Sequence, residues 1–389
     1  TPEGEDLVGA VWPGKVLYPD FGSEKAAAWW AKTQKEFLGA YPFDGVWNDM
    51  NEPINWDGGP AATEKAVTER GPWAPEWNLY GYYMAKTSAR GWREHAPERR
   101  TLTISRSGYP GIQRHAIVWH GDNSSWWEHL RLAVNGPAGY SLGGALSSAP
   151  VVPGGIVNAP ADLGVRFFQL GAFLPFFRGH SMIFAEYKEP YVYPEPARTH
   201  ISEAIRLRYA LLREWYSGFE RCLREKRPTL EPVFDARGAL VRDSFLLLGT
   251  FLVCPVVHRD ETVRKVWLPE GDWYRWGELG ERLKGGRWLL EDVTDFRFPL
   301  FVRAGSVLTL HEPRRNAEET LATPATHVVY PDARGRAEGY LYRDDGVHVD
   351  DPKAERWRLA AERGGEVRVL PLAGKASAKR RAKPARKKR

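Results

Sequence analysis

Two aspartates follow apolar, tryptophan-containing stretches of the chain: Asp49 in DGVWNDMNEP (44–53) and Asp122 in AIVWHGDNSSWW (116–127). A carboxylate that attacks the anomeric carbon of a sugar, together with a carboxylic acid that protonates the leaving oxygen, suffices to hydrolyse a glycosidic bond. A single aspartate at the end of a strand is more often a helix N-cap or a turn residue. Two of them, each after a tryptophan and on different strands, favour the catalytic interpretation.

Three further side chains with useful chemistry lie at or near predicted strand ends. Glu52 is an alternative nucleophile, although from a loop it is better placed to orient its neighbours. Arg106 lies near the end of RTLTISRS and His180 ends LPFFRGH; the alternatives are a surface ion pair for the arginine and a core role for the histidine. No His or Cys lies at metal-ligand spacing from His180 or His200, and no phosphate-binding or dinucleotide-binding motif is present. We therefore expect neither a metal nor a cofactor.

These residues need a scaffold that brings strand ends together. The first half of the chain alternates strand-like and helix-like stretches, with predicted helices over 23–40, which Ser23 can cap, and 124–137, which Gly136 and Pro137 would end. This alternation predicts a parallel sheet. In an α/β fold of the (β/α)8 TIM-barrel type, the carboxyl ends of the strands form the active face. The candidate residues would all lie on that face.

The pattern changes after about residue 228 to short apolar runs separated by Gly, Pro and charged turns, which is typical of β-sandwiches. We therefore predict four segments. They are a catalytic barrel domain over 1–228, a proximal C-terminal β-sandwich over 229–310, a distal and truncated β domain over 311–372, and a basic disordered tail over 373–389.

The composition describes a soluble protein whose positive charge is confined to one end. The 389 residues are 43% hydrophobic and contain no apolar run long enough for a membrane span. The net charge is +6, but nine Lys or Arg and no acid lie between Lys375 and Arg389, so the rest of the chain carries −3. Such a tail allows nonspecific contact with nucleic acid, although a solvated extension is the better interpretation. The 17 tryptophans fit either core packing or stacking against sugars.

The two cysteines bear on the compartment. Cys222 and Cys254 lie in the apolar settings FERCL and FLVCP, which predicts buried free thiols. Free thiols favour a reducing compartment, and no secretory signal opens the chain, so we expect a cytoplasmic protein. Because the chain begins with Thr1 and not Met, we also expect that its true start lies upstream.

The order and spacing of motifs along nearly the whole chain resemble glycoside hydrolase family 31, the retaining α-glucosidases and their relatives. The matching stretches are VWPGKVLYPDF, DGVWNDMNEP, SRSGYPGIQRHAIVWHGDNSSWW, FFQLGAFLPFFRGHS, AIRLRYALLREWY, SFLLLGTFLVCPVV, VWLPEGDWY, FPLFVRAGSVL and YLYRDDG.

The resemblance implies a role for each candidate. The family's W-x-D-M-N-E motif makes Asp49 the nucleophile, and its G-D-N motif makes Asp122 the acid/base. Arg106 and His180 would hydrogen-bond sugar hydroxyls, and Glu52 would support the nucleophile from behind. The pocket tryptophans would be Trp12, Trp47 and Trp119.

The implied activity is release of terminal α-linked glucose from α-glucosides or oligosaccharides, with no metal, cofactor or membrane involved. Within the family, action on α-xylosides or sulfoquinovosides and transglucosylation are alternatives. A degenerate, inactive fragment or a sugar-binding remnant is a further one. The sequence does not indicate an oligomeric state.

Two departures from the family pattern affect these expectations. Val151 and Gly155, in APVVPGG, stand where the family carries an aspartate and a phenylalanine, so we expect cationic or hydroxyl groups of the pocket to lose a partner. The chain also begins just before the VWPG motif, and the family's N-terminal β-sandwich and first two barrel strands precede that point. We therefore expect an incomplete barrel that, made alone, aggregates and shows little activity.

Overall fold

The structure, a computed structural model, describes residues 1–362 and 365–372. The basic tail over 373–389, with its predicted disorder and its possible nucleic-acid contact, lies outside the described residues. Strands and helices alternate in the first part of the chain. The strands there are β1 (Val8–Val11), β2 (Gly14–Leu17), β3 (Val46–Asn48), β4 (Val67–Thr68), β5 (Gly71–Pro72), β6 (Thr103–Ser105), β7 (Ile117–Trp119) and β8 (Ser148–Ala149).

Seven α-helices accompany these strands. They are α1 (Glu24–Ala40), α2 (Gly59–Thr63), α3 (Tyr80–His95), α4 (Trp127–Leu142), α5 (Ala161–Gly171), α6 (Ala197–Ala210) and α7 (Leu212–Glu225). Short 3-10 helices cover Ala74–Leu79, Ile112–Arg114 and Pro190–Val192. None of the helices in the described part of the chain is long and apolar enough to cross a membrane.

A parallel sheet in the order β3-β6-β7-β8 forms the centre of the first part. An isolated parallel bridge between Val152 and Gly179 extends this arrangement to the segment before His180. Because parallel strands present their carboxyl ends at one edge, the residues that follow β3, β6 and β7 emerge side by side. The stretch LVGAVW lies apart from this sheet, since β1 pairs with β2 in an antiparallel hairpin.

Helix α4 is longer than predicted and shows how tertiary packing overrides a local signal. It continues through Gly136 and Pro137 to Leu142. Its inner face, which includes Leu130, Val134 and Pro137, is buried. The burial of this face past the proline favours continued helix where the isolated sequence favours an end.

The second part of the chain is almost entirely β-structure. Its elements are β9 (Leu230–Phe234), β10 (Leu240–Leu247), β11 (Phe251–Val253), β12 (Val263–Leu268), β13 (Asp272–Arg275), β14 (Leu283–Lys284), β15 (Arg287–Asp292), β16 (Leu300–Arg303), β17 (Ser306–Leu310), α8 (Ala317–Ala322), β18 (Thr326–Tyr330), β19 (Arg336–Arg343), β20 (Glu355–Glu362) and β21 (Arg368–Pro371), with a 3-10 turn at Thr294–Phe296.

These strands form two larger sheets and a two-stranded ribbon. The first sheet has the order β14-β13-β16-β11-β10-β9, the second has the order β18-β17-β19-β20-β21, and β12 pairs with β15. The chain passes from one large sheet to the other between β16 and β17, at Ala304 and Gly305, because β17 pairs with β18 and not with β16. The domain boundary predicted after residue 310 stays a prediction; this change of sheet lies one strand before it.

One hydrophobic core joins the two parts. It runs from Leu130 in α4 and Phe167 in α5 to Phe245 in β10 and Val302 in β16. The second part is therefore packed against the helices that support the parallel sheet. Cys222 and Cys254 are both buried free thiols.

Candidate active site

The loop after β3 carries Asp49 and is held against the loop after β6. Asn51, which is buried, donates its amide to the Ser105 hydroxyl at 2.8 Å and accepts the backbone N–H of Ser107 at 2.9 Å. Met50 occupies a left-handed conformation, and its N–H donates to the Asp49 carboxylate at 2.8 Å. The orientation of Asp49 is therefore fixed by its own loop. Sequence reasoning missed the role of Asn51, although it lies within the quoted motif.

Arg106 gathers three carboxylates around one guanidinium. Its Nε and Nη2 bind the two oxygens of Glu52 at 2.9 and 3.0 Å, a bidentate pair. Its Nη1 lies 3.1 Å from Asp49 Oδ1 and 3.3 Å from Asp122 Oδ2. Burial alone would lower the pKa of Arg106, but the hydrogen bonds with Glu52 and the charges of the carboxylates outweigh it and raise that pKa. The arginine is therefore a fixed positive charge between the two catalytic candidates.

The shared nitrogen limits the distance between the candidate nucleophile and the candidate acid. The two bound oxygens of Asp49 and Asp122 cannot be farther apart than the sum of their distances to Arg106 Nη1, about 6.4 Å, which is compatible with the ~5–5.5 Å separation of carboxyl groups in retaining glycosidases. Both carboxylates are accessible, with 48% and 45% of their side chains exposed. The roles assigned to them stay predictions, but the geometry allows them.

A cavity of about 1080 Å³ contains this cluster. Asp49, Glu52, Arg106 and Asp122 line it, and Trp12 stands at its rim. Trp12 belongs to the turn of the β1–β2 hairpin, is 66% exposed and packs edge-on against Trp56 with ring centroids 4.9 Å apart. Two hydrogen bonds connect the hairpin to the loop after β3. The Asn55 side-chain oxygen accepts the backbone N–H of Ala10 at 3.0 Å, and the backbone N–H of Trp56 donates to the Ala10 carbonyl.

The other two predicted tryptophans lie behind this cavity. Trp47 and Trp119 contact each other edge-on at 4.9 Å, and Trp119 is only 2% exposed. Trp119 therefore supports the floor and has little surface left for a sugar to contact. His180 lies beside it, with ring centroids 6.3 Å apart.

Arg178 is the second guanidinium of the site, and sequence reasoning missed it. Its Cζ lies 4.2 Å from the Trp47 ring centre, and its Nη2 donates to His180 Nδ1 at 2.9 Å, which leaves the histidine proton on Nε2. Burial, followed by the charge of Arg178, lowers the pKa of His180, against the opposing effect of the carboxylates Asp122 and Asp49. A spacing of two residues in an extended segment places Arg178 and His180 on one side, and this was the signal available in FFRGH.

Val151 packs against Trp47 and Trp119, the two tryptophans whose rings Arg178 faces. It is fully buried. Arg178 Nη1 is buried without a hydrogen-bond partner, and no carboxylate among residues 1–362 and 365–372 forms an ion pair with Arg178. Burial lowers the pKa of Arg178. An unpaired cationic nitrogen is the kind of feature we expected, and its attribution to Val151 stays a prediction.

The described residues contain no group of three or more His, Cys, Asp or Glu side chains arranged to hold a metal ion.

Two family models match the chain. The TIM-barrel domain of glycosyl hydrolases family 31 matches residues 1–218, and the C-terminal domain of glycosyl hydrolase family 31 matches residues 227–308. Alpha-glucosidase 2 of Bacillus thermoamyloliquefaciens is 31% identical over 370 residues, which cover 92% of this chain and 46% of that protein.

Solved structures of glycoside hydrolases are also similar to this chain. A crystal structure of a glucosidase II alpha subunit with bound DNJ has a TM-score of 0.89 and 28% identity, covering 97% of this chain and 42% of the other. The GH31 alpha-xylosidase of Xanthomonas citri has a TM-score of 0.82 and 28% identity, covering 93% and 42%. The chain thus spans less than half the length of these relatives.

Proposed function

The chain belongs to glycoside hydrolase family 31, and from this membership and the pocket geometry we propose that it is a retaining exo-α-glycosidase that releases terminal α-linked glucose from oligosaccharides. The observation that carries the proposal is the placement of the Asp49 and Asp122 carboxylates on one nitrogen of Arg106. Their bound oxygens lie within about 6.4 Å of each other. This limit is compatible with the ~5–5.5 Å separation of carboxyl groups in retaining enzymes and supports direct attack by Asp49.

The reaction proceeds in two displacements. Asp49 attacks the anomeric carbon and forms a β-glycosyl ester while Asp122 gives its proton to the leaving oxygen. Asp122 then takes a proton from water, and this water breaks the ester and restores Asp49. The product keeps the α configuration because the centre is inverted twice.

Glu52 holds Arg106 in place through two parallel hydrogen bonds, so that Nη1 stays directed at both aspartates. This arrangement keeps a positive charge beside both aspartates. Glu52 itself is a supporting residue, because both of its oxygens are engaged by the arginine.

A second candidate is a weakly active or sugar-binding relative with altered specificity. The unpartnered Nη1 of Arg178, beside the buried Val151, favours it. In this reading the side of the pocket formed by Arg178 and His180 no longer binds glucose as the relatives do. Activity on α-xylosides or transfer to another sugar would then replace glucose release.

The two readings are separated by following hydrolysis of p-nitrophenyl α-glucoside and α-xyloside by proton NMR, with maltose as a natural-type substrate. We expect the α anomer of glucose to appear first and the β anomer to follow by mutarotation. Initial release of the β anomer would contradict the retaining mechanism. Faster release of xylose than of glucose would support the second candidate, and absence of release from all three by a soluble, folded preparation would overturn both enzymatic assignments.

A further inference from the structure

The residue that follows Asp122 is fastened to a neighbouring loop by both ends of its amide. Asn123 Oδ1 accepts the N–H of Val151 at 2.9 Å, and Asn123 Nδ2 donates to the Val151 carbonyl at 3.0 Å. This is a two-point contact with the backbone of a single residue. It does not depend on the side chain at position 151.

The backbone of the same loop, residues 151–156, forms hydrogen bonds with segments on both of its sides. The N–H of Gly155 donates to the Asn123 carbonyl at 2.7 Å, and the N–H of Ser125 donates to the Ile156 carbonyl at 2.9 Å. On the other side, the buried Lys188 donates to the carbonyls of Gly154 and Gly155 at 2.6 and 3.2 Å. The loop is therefore a fixed surface against which the Asp122 segment rests.

Asp122 has few restraints of its own. Its side chain is nearly half exposed, and its contact with Arg106 is the longest of the three that this arginine makes with the site carboxylates. The residue before it, Gly121, has a positive φ of 80°, a conformation that glycine adopts freely. Without an external restraint, the Asp122 carboxylate would sample positions away from the leaving oxygen.

We propose that Asn123 is a positioning residue that holds Asp122 at the leaving group by fastening it to the 151–156 loop. This inference rests on the proposed function of Asp122 as acid/base. An amide suits the role because it carries a donor and an acceptor side by side, as the backbone of Val151 requires. An aspartate keeps the acceptor and lacks the donor, so it places a carboxylate oxygen against the Val151 carbonyl.

The loop also reaches His180. The N–H of Met182, two residues beyond this histidine, donates to the Gly155 carbonyl at 3.0 Å. The Asn123 contact therefore joins the loop that carries the acid/base to the loop that carries the predicted sugar-binding histidine. A displacement of residues 151–156 would move both.

The test compares Asn123→Ala and Asn123→Asp with Asn158→Ala in the full chain. Asn158 is a matched control, since its Oδ1 accepts the N–H of Glu186 at 2.9 Å, a side-chain-to-backbone bond of the same kind with no link to Asp122. Each variant is assayed on an alkyl α-glucoside, whose leaving group needs a proton, and on 2,4-dinitrophenyl α-glucoside, whose leaving group does not. Asp122→Ala provides the reference pattern.

We expect both Asn123 variants to lose about tenfold or more in kcat/KM on the alkyl glucoside and less than about threefold on the dinitrophenyl glucoside, because general-acid catalysis contributes about 10²–10⁴-fold. The Asn158 variant should lose little on either substrate. Equal losses on both substrates, as from general loosening of the fold, would overturn the positioning role.

Amide hydrogen exchange of peptides covering 150–157 gives a readout that does not require activity. The exchange of this segment should speed up in both Asn123 variants and stay unchanged in the Asn158 variant. Unchanged exchange in the Asn123 variants would overturn the inference by itself. A wild-type protein that hydrolyses neither glucoside would refute the proposed function, while the exchange result would still decide whether Asn123 fastens the loop.

Discussion

Two arginines flank the ring of Trp119, and they differ in what they bind. Arg106 pairs with Glu52 in a bidentate manner and reaches both Asp49 and Asp122. Arg178 lies over Trp47, donates to His180 and leaves Nη1 buried and unpartnered. Both are partly buried cations in one site, but the described residues supply carboxylates to only one of them.

This difference separates the two tasks of the pocket. The side with Arg106 contains the two carboxylates proposed for the two displacements, and three carboxylates there share one guanidinium. The side with Arg178 has a buried donor without an acceptor, and such a group costs about 1–3 kcal/mol relative to a paired one. The proposed bond cleavage therefore rests on the side with Arg106, and the second candidate, altered recognition of the sugar, rests on the side with Arg178.

The largest effect is expected on the Arg106 side, from removal of the nucleophile. Asp49→Ala should reduce kcat by about 10⁴-fold or more, since no carboxylate remains to form the ester. Sodium azide should restore part of the activity and give the β-glycosyl azide, because the anion attacks once from the vacated side. Asp57→Ala, an exposed aspartate in the same loop, is the control and should behave as wild type. A variant at Asp49 with near-normal kcat would contradict the assignment.

Loss of the Glu52 negative charge, which pairs with Arg106, should have a smaller effect on catalysis. Glu52→Gln keeps the shape of the side chain and removes the anion that orients the guanidinium, so we expect kcat/KM to fall about 10- to 100-fold, the range of 1.4–2.7 kcal/mol that a charged hydrogen bond supplies. Asp49 and Asp122 would then share a less rigid arginine. Asp20→Asn, which removes a partner of the distant Arg70, is the matched control. Unchanged kcat/KM in Glu52→Gln would mean that Arg106 does not depend on this pair.

On the other side, a double-mutant cycle between positions 151 and 178 should reveal the missing partner. Val151→Asp places a carboxylate near a cation in the presence of Arg178 and leaves it buried alone when combined with Arg178→Met. We expect a favourable coupling of about 1–3 kcal/mol in the free energy of unfolding measured with urea. Val266→Asp, a buried position of β12 in a separate hydrophobic cluster, is the control and should not couple to Arg178. Zero coupling at 151 would contradict the account of Arg178.

The smallest effect concerns the titration of His180. Burial is the main reason for its lowered pKa, and Arg178 adds to it, so Arg178→Met should raise the pKa of His180 partway toward its ordinary value of 6.5. The folded state binds this proton less well than the unfolded state, so the contribution of His180 to stability is present above pH 6.5 and is lost as the pH falls below it. The loss of stability with falling pH should be smaller in Arg178→Met than in the wild type.

The measurement is an NMR titration of the histidine side chains, followed by urea unfolding at several pH values. The exposed His348, paired with Asp345, provides an internal reference signal. A lower pKa of His180 in Arg178→Met would show that the arginine favours the protonated ring.

Part of this site could be predicted from the sequence because parallel strands impose a common edge. The ends of β3, β6 and β7 meet whatever their side chains are, so Asp49, Arg106 and Asp122 were expected together, and they are together. The unpaired cation was also expected in kind from Val151. The sequence did not indicate that Arg178 would be this cation, because its orientation depends on stacking against Trp47, which is far away in the sequence.

Other features depend on packing that local patterns do not encode. The proline in α4 predicted a helix end, but burial of the helix face beyond it overrides that preference. The strand β17 follows β16 after only two residues, so the sequence gives no sign that the chain changes sheets there. Trp119 was expected to wall the pocket, and its almost complete burial assigns it to the floor.

The central claim is that Asp49 forms a covalent bond with the sugar on the intact side of the pocket. It is tested most directly by incubating the protein with 5-fluoro-α-glucosyl fluoride, which slows breakdown of the ester, and locating the added mass by peptide sequencing. The account predicts one added 5-fluoroglucosyl group on Asp49, and none in Asp49→Ala. A label on Asp122 or Glu52, or turnover of the reagent by an Asp49→Ala protein, would contradict it.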